Sequence, residues 1–141
     1  MPDKTMLERC SVIQLPRIGD SRGDLTVIEG SSHVPFDIKR IYYVYDVPPG
    51  QIRGAHAHKN LRQVIIAISG SFDVVLDDGY ARKRFHLNKP YLGLYVCPMT
   101  WREIEGFSPG AVCMVLASDP YDEEDYYRDY NAFLRAVKEE R

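Results

Sequence analysis

Residues 51–63 read "QIRGAHAHKNLRQ", and the fold follows from how this stretch is understood. His56 and His58 stand two apart among the small residues Gly54, Ala55 and Ala57. On a β-strand, positions i and i+2 point to the same side, whereas on a helix they diverge. The flanks select the strand. "VPPG" (47–50) on one side cannot continue a helix, and "QVIIAISG" (63–70) on the other is rich in β-branched residues. The two imidazoles therefore share one side of a strand, with little bulk opposite.

Outward from this point, short runs of the same character recur between turn residues. "DLTVIEG" (24–30), "IKRIYYVYDV" (38–47), "SFDVVLDDG" (71–79), "YARKRFHL", "YLGLYVCP", "TWREIEGF" and "AVCMVLAS" all read as strands. Gly70-Ser71 and Asp78-Gly79 are expected as tight hairpin turns. Only "YDEEDYYRDYNAFLRAVKEER" (121–141) has helical character, with Tyr126, Tyr130, Phe133, Leu134 and Val137 as its apolar stripe. Asp119 or the acidic run after Tyr121 is the expected cap. The expectation is an all-β jelly-roll barrel or sandwich with a short C-terminal helix, one domain over residues 1–141. "VIIAI" is apolar on both faces, which in an antiparallel sheet calls for a second cover. That cover is expected to be another subunit, giving a homodimer.

Eighteen basic against twenty acidic side chains give a net charge of −2, which supplies no general field for nucleic acid. A polyanionic ligand must then be met by a local cluster of arginines and lysines. No apolar run approaches the roughly 20 residues of a membrane span. The opening "MPDKTMLERCSV" lacks the basic head and apolar middle of a secretory signal. Cys10, Cys97 and Cys113 have no metal-type spacing and read as reduced packing residues of a cytoplasmic protein.

Gly50, His56, His58, Gln63 and Gly70 stand at intervals that resemble the first motif of the cupins, with Gln63 where that motif has glutamate. The second cupin motif is represented by "GLYVCPMTWREI" (93–104), in which Arg102 takes the place of a ligand histidine. Both departures act against a metal. An amide and a permanent cation replace a carboxylate and an imidazole, and a guanidinium has no lone pair to offer. Two histidines fall short of the usual three protein ligands of a catalytic metal. No metal and no cofactor are expected, and the histidines are left to move protons near neutral pH.

Nearly the whole chain is similar to a narrower family, the dTDP-4-oxo-6-deoxyglucose 3,4-oxoisomerases (sugar 3,4-ketoisomerases). The matching segments are "DSRGDL" (20–25), "PFDIKRIYYVYD" (35–46), "RGAHAHK" (53–59), "GSFDVVLDDG" (70–79), "GLYVCPMTWREI" (93–104) and "VLASDPYDEEDYYRDY" (115–130). The resemblance implies a metal-free, dimeric cupin that moves the ketone of a dTDP-sugar from C4 to C3.

Such a reaction needs a base beside C3 and C4, a proton relay between two oxygens, and charge stabilisation for an enediolate. His56 is expected to be the carbon base, with His58 orienting the sugar or sharing the proton traffic. Tyr42 is the expected hydroxyl relay. Tyr43 is the fallback, since strand parity turns the pair to opposite faces. Arg22, Arg53, Lys59 and Arg102 are the candidates for diphosphate and sugar, joined by Gln63; Arg22 and Arg102 would line the sugar pocket. Trp101 either stacks on sugar or thymine or belongs to the core. The acidic tail reads as a poor phosphate binder, packed on the barrel for structural reasons. Two other readings stand beside this one. A dTDP-4-oxo-sugar 3/5-epimerase would share the fold and the proton abstraction, and a non-catalytic cupin would bind the sugar only.

Overall fold

The structure, a computed structural model, describes residues 6–140. Residues 1–5 and residue 141, which the sequence reading includes in its domain and in its opening and closing segments, lie outside the described residues. In chain order the elements are α1 (Met6–Arg9), β1 (Ser11–Gln14), β2 (Arg17–Asp20), β3 (Gly23–Thr26), β4 (Arg40–Val44), β5 (Arg53–His58) and β6 (Gln63–Ser69). They continue with β7 (Phe72–Asp77), β8 (Arg82–Leu87), β9 (Leu92–Val96), β10 (Trp101–Glu105) and β11 (Val112–Ala117). A 3₁₀ turn (Glu123–Asp125), β12 (Tyr126–Tyr127) and α2 (Tyr130–Glu140) close the chain. Two five-stranded antiparallel sheets, ordered β1-β9-β6-β11-β4 and β12-β5-β10-β7-β8, form the sandwich, and β2-β3 makes a separate ribbon. The all-β, cupin-like architecture with a C-terminal helix is as expected.

Alternation along the strands builds the core. Phe72, Val74 and Leu76 of β7 and Ile65 and Ala67 of β6 enter one apolar cluster with Leu94, Val96 and Val115. Each of these side chains but Ala67 contributes roughly 1.5–3 kcal/mol relative to exposure.

The second face of β6 is covered, though not by another subunit. Val64 and Ile66 pack against Leu15, Val34, Phe36 and Leu116 of the same chain. The segments following β1 and β3 wrap that face, so the two-sided apolarity of "VIIAI" has an intramolecular cause.

Gly70-Ser71 is likewise not a hairpin, because β6 and β7 belong to different sheets. Gly70, at φ +67°, turns the chain from one sheet to the other, and a Cβ there would come within 2.9 Å of the Ala111 Cα. Asp78-Gly79 does form a hairpin between β7 and β8. The Asp77 carboxylate accepts from Gly79 N at 2.7 Å, and that of Asp78 from Tyr80 N and Ala81 N at 2.9 and 2.8 Å.

The tail departs most from expectation. The helix begins only at Tyr130, where the Asp129 carboxylate accepts from Ala132 N at 3.2 Å. Before it, Asp122 caps the 3₁₀ turn by accepting from Glu124 N at 3.0 Å, as short acidic side chains favour caps and turns. Tyr126 and Tyr127 then extend, and pair with His58 and Ala57 at the edge of β5. Phe133 and Val137 hold the helix against Ala57, Met99 and Trp101. Tyr126 is not part of the helical stripe.

Candidate active site

The bottom of the site comes from both sheets, from the neighbouring strands β5 and β10 of one and from β4 and β6 of the other. Arg102 on β10 pairs directly with His56 on β5, and the register shifts beyond it. The Arg102 side chain is fully buried and donates to the Thr100 carbonyl, from Nη2 at 3.1 Å. Its Nη1 donates to Gln63 Oε1. Since arginine only donates, the amide of Gln63 is fixed with its oxygen toward Arg102. Its Nε2 therefore donates to the Tyr42 hydroxyl, at 3.1 Å. The chain of contacts Arg102–Gln63–Tyr42 leaves the phenol as acceptor on that side, with its own hydrogen available to the pocket. Burial raises the Tyr42 pKa, which keeps this hydroxyl protonated at neutral pH.

His56 and His58 do lie on the same side of β5, their rings edge-on with centroids 4.8 Å apart. Tyr126 lies 4.9 Å from the first ring and 4.3 Å from the second. Both Nε2 atoms are buried and have no hydrogen-bond partner. Burial, and then the positive charge of Arg102, hold His56 down at about 3 and His58 down at about 2. Both imidazoles are therefore neutral at neutral pH, each with a lone pair on one nitrogen.

A cavity of about 330 Å³ opens over this group, walled by Tyr42, His56, Gln63 and Arg102 and, on its apolar side, by Ile65, Ile104 and Val115. Among the described residues no three His, Cys, Asp or Glu side chains gather as a metal-holding group.

Four arginines surround the cavity: Arg40, Arg53, Arg102 and Arg128. Arg40 lies over the rings of Tyr42 and Tyr121, at 5.1 and 5.5 Å, and its buried Nε has no partner. Arg128 lies 4.1 Å over Tyr126 and is bound by Glu123 at 2.6 and 2.9 Å. Arg128 holds the Glu123 carboxyl at about 2.

Of the residues singled out in the sequence, His56, Tyr42, Gln63, Arg53 and Arg102 meet at this cavity. His58 stands directly behind and lines a neighbouring cavity of about 490 Å³ that shares Arg40, Tyr121 and Tyr126. Tyr43 is turned to the outer face, 62% exposed, as its parity requires. Trp101 is buried against Phe133 and Tyr130, 5.9 and 5.3 Å away; of its two readings the core one holds. Lys59 lies outside the cavity, over the Tyr127 ring at 5.2 Å. Arg22 sits on the β2-β3 ribbon, paired with Asp20 at 2.6 Å, and does not reach this chain's cavity.

Sequence reading missed Arg40, Tyr121, Tyr126 and Arg128. Arg40 carried a usable signal, since it precedes Tyr42 by two and so shares its face. The other three were hidden by the acidic composition of their segment.

A family model, FdtA (WxcM-like, C-terminal), matches residues 8–138. The TDP-4-oxo-6-deoxy-α-D-glucose 3,4-oxoisomerase of Aneurinibacillus thermoaerophilus is 48% identical over 126 residues, 89% of this chain and 91% of that protein. The crystal structure of QdtA, a sugar 3,4-ketoisomerase from Thermoanaerobacterium thermosaccharolyticum in complex with TDP, superposes with a TM-score of 0.93 at 42% identity, covering 95% of this chain and 98% of that one. WlaRB, the TDP-quinovose 3,4-ketoisomerase of Campylobacter jejuni, gives a TM-score of 0.86 at 49% identity, covering 91% and 98%. Identity at this level across almost the full length of each, together with the histidine-lined cavity, means that the chain belongs to the FdtA family, whose relatives here are sugar 3,4-ketoisomerases.

Proposed function

We propose that this chain is a single cupin domain that moves the ketone of a TDP-4-oxo-6-deoxyhexose from C4 to C3 through an enediolate. The observation that carries this reading is the neutral His56 with an unpartnered Nε2, lining one cavity with Tyr42, whose hydroxyl is aimed by Gln63 and Arg102. A C4 ketone acidifies the hydrogen on C3. His56 Nε2 takes that proton, and the electron pair moves into the C3–C4 bond as the O4 oxygen becomes anionic. Tyr42 passes a proton between O3 and O4, and return of a proton to C4 leaves the carbonyl at C3. The buried charge of Arg102, close to the developing oxyanion and poorly screened, stabilises the enediolate. His58 shares the proton traffic from behind.

A pKa of about 3 makes His56 a weak base before substrate binds. Arg102, Arg128 and Arg40 all contribute to that depression. A bound diphosphate offsets their charge and raises the basicity of His56 when substrate is present. Arg40, Arg53 and Arg128 are placed for this anion at the mouth of the cavity, where arginine's fork suits phosphate oxygens.

We infer a homodimer from a different feature than the sequence suggested. Ile18 and Leu25 are 62% and 55% exposed on the β2-β3 ribbon, and Ile41, Tyr43 and Tyr45 are exposed on and just beyond β4. A second copy would cover this surface, and through such a copy Arg22 would reach a histidine-lined cavity. The buried cysteines fit a reducing compartment, and we assign the protein to the cytoplasm.

The test is NMR of the product from TDP-4-oxo-6-deoxyglucose in deuterated water. A C3 ketone with deuterium at C4 is expected. Retention of the C4 ketone with inversion at C3 or C5 would establish the epimerase, and unchanged sugar would establish a binding module.

A further inference from the structure

Asp125 lies in the acidic segment that sequence analysis read as structural, yet its carboxylate ends against a histidine of the site. Oδ1 accepts from Asn60 N at 2.8 Å. Oδ2 accepts from Leu61 N at 3.2 Å and stands 3.1 Å from His58 Nδ1. A carboxylate only accepts, so the hydrogen between Asp125 and His58 belongs to the imidazole. His58 is almost completely buried, and its other nitrogen, Nε2, has no partner. That nitrogen belongs to a ring 4.3 Å from Tyr126 and 4.8 Å from His56.

We propose that Asp125 is a positioning residue for the isomerisation, fixing His58 as the Nδ1–H tautomer so that Nε2 keeps its lone pair beside His56 and Tyr126. This rests on the isomerase reading above. Three features support it. The contact spans 67 residues of sequence, so it is a product of the tertiary fold. Two backbone donors from the turn after β5 lock the carboxylate before the imidazole is considered. Lys59 N also donates to the Asp125 backbone carbonyl at 2.8 Å, which ties the 3₁₀ turn to the end of β5 by a second route. With Nε2 bare, His58 can accept a proton; in the opposite tautomer it can only donate there.

Asp125→Asn preserves size but removes the charge and leaves one oxygen for three donors, Asn60 N, Leu61 N and His58 Nδ1, so its NH₂ must face at least one of them and the hold on His58 weakens. Wild-type turnover is measured first. No C3 ketone there overturns the isomerase reading and this inference with it. In active wild-type protein labelled with ¹⁵N-histidine, the inference requires the Nδ1–H pattern for His58, and an Nε2–H pattern overturns it alone. This measurement needs no variant and stands even if Asp125→Asn folds poorly. In the variant, the Nδ1–H preference should weaken and kcat should fall by roughly 10²-fold or more, with KM little changed. The double variant Asp125→Asn/His58→Asn should be no slower than His58→Asn, because Asp125 acts through that ring. Additive losses, or an unchanged kcat in Asp125→Asn, would overturn the positioning role.

Discussion

Two parts of the space between the sheets obey opposite rules. In one, Phe72, Val74, Leu76, Leu94 and Val96 exclude water with no polar atom among their side chains. In the other, against the same strands, His58, Gln63 and Arg102 are buried at 1% exposure each. A buried arginine with no carboxylate beside it among the described residues costs several kcal/mol in desolvation, and two imidazoles with orphaned Nε2 atoms add to that. The apolar part spends nothing on chemistry, and the polar part gives up stability for a charge and two lone pairs held in fixed places. Function and stability therefore separate by region, and the separation can be tested.

The sharpest break is His56→Asn. It removes no hydrogen bond from Nε2, so the melting temperature should hardly move, while kcat falls by roughly 10²–10⁴-fold. Near-normal turnover in a steady-state assay would remove His56 from the mechanism. Leu94→Ala is the mirror image. It should lower the unfolding free energy by about 2–5 kcal/mol in urea titrations and leave kcat/KM within about twofold at temperatures where it is folded.

Acid should act on the polar part first. The folded pKa values of about 3 and about 2 lie below the ordinary 6.5, so the unfolded chain binds more protons between these limits. Stability contributed by the neutral rings is whole above pH 6.5 and is lost as pH falls toward 3, by about 1.4 kcal/mol per pH unit for each imidazole. Urea midpoints from pH 7 to 4.5 report it, and His56→Asn should flatten the slope. Arg128→Ala should raise KM about tenfold, a loss of about 1.4 kcal/mol, with kcat nearly kept; an unchanged KM excludes Arg128 from the anion site. The smallest effect separates neighbours. Tyr43→Phe should be silent in kcat, whereas Tyr42→Phe should lower it by roughly 10²-fold, since only the second tyrosine faces the cavity.

Most strands were legible because alternation and β-branching report a local property, which side of a sheet meets the core. Hence β5, β6, β7 and β10 stand where expected, and the His56/His58 and Tyr42/Tyr43 parities hold. The misreadings share another origin. Whether Gly70 closes a hairpin or carries the chain between sheets depends on which strands pair, and that is not written near Gly70. The cover over Val64 and Ile66 comes from segments around residues 15 and 34–36, a partnership no local pattern announces. Asp122–Arg128 was misread because average charge hid the alternation that brings Tyr126 and the exposed Arg128 to the cavity while Asp125 turns to His58.

By itself, the sequence determined the class of fold, the strand that carries the histidines, and the absence of a carboxylate and a third imidazole from the usual cupin ligand places. Those are facts of residue type and period, readable from neighbours along the chain. The tertiary structure alone decided which arginines ring the cavity, that Gln63 joins Arg102 to Tyr42, and that a segment near the end of the chain supplies both a wall and a partner for His58. These contacts span from 21 to 67 residues of sequence. Their energy comes from desolvating groups that meet only when the sheets pack.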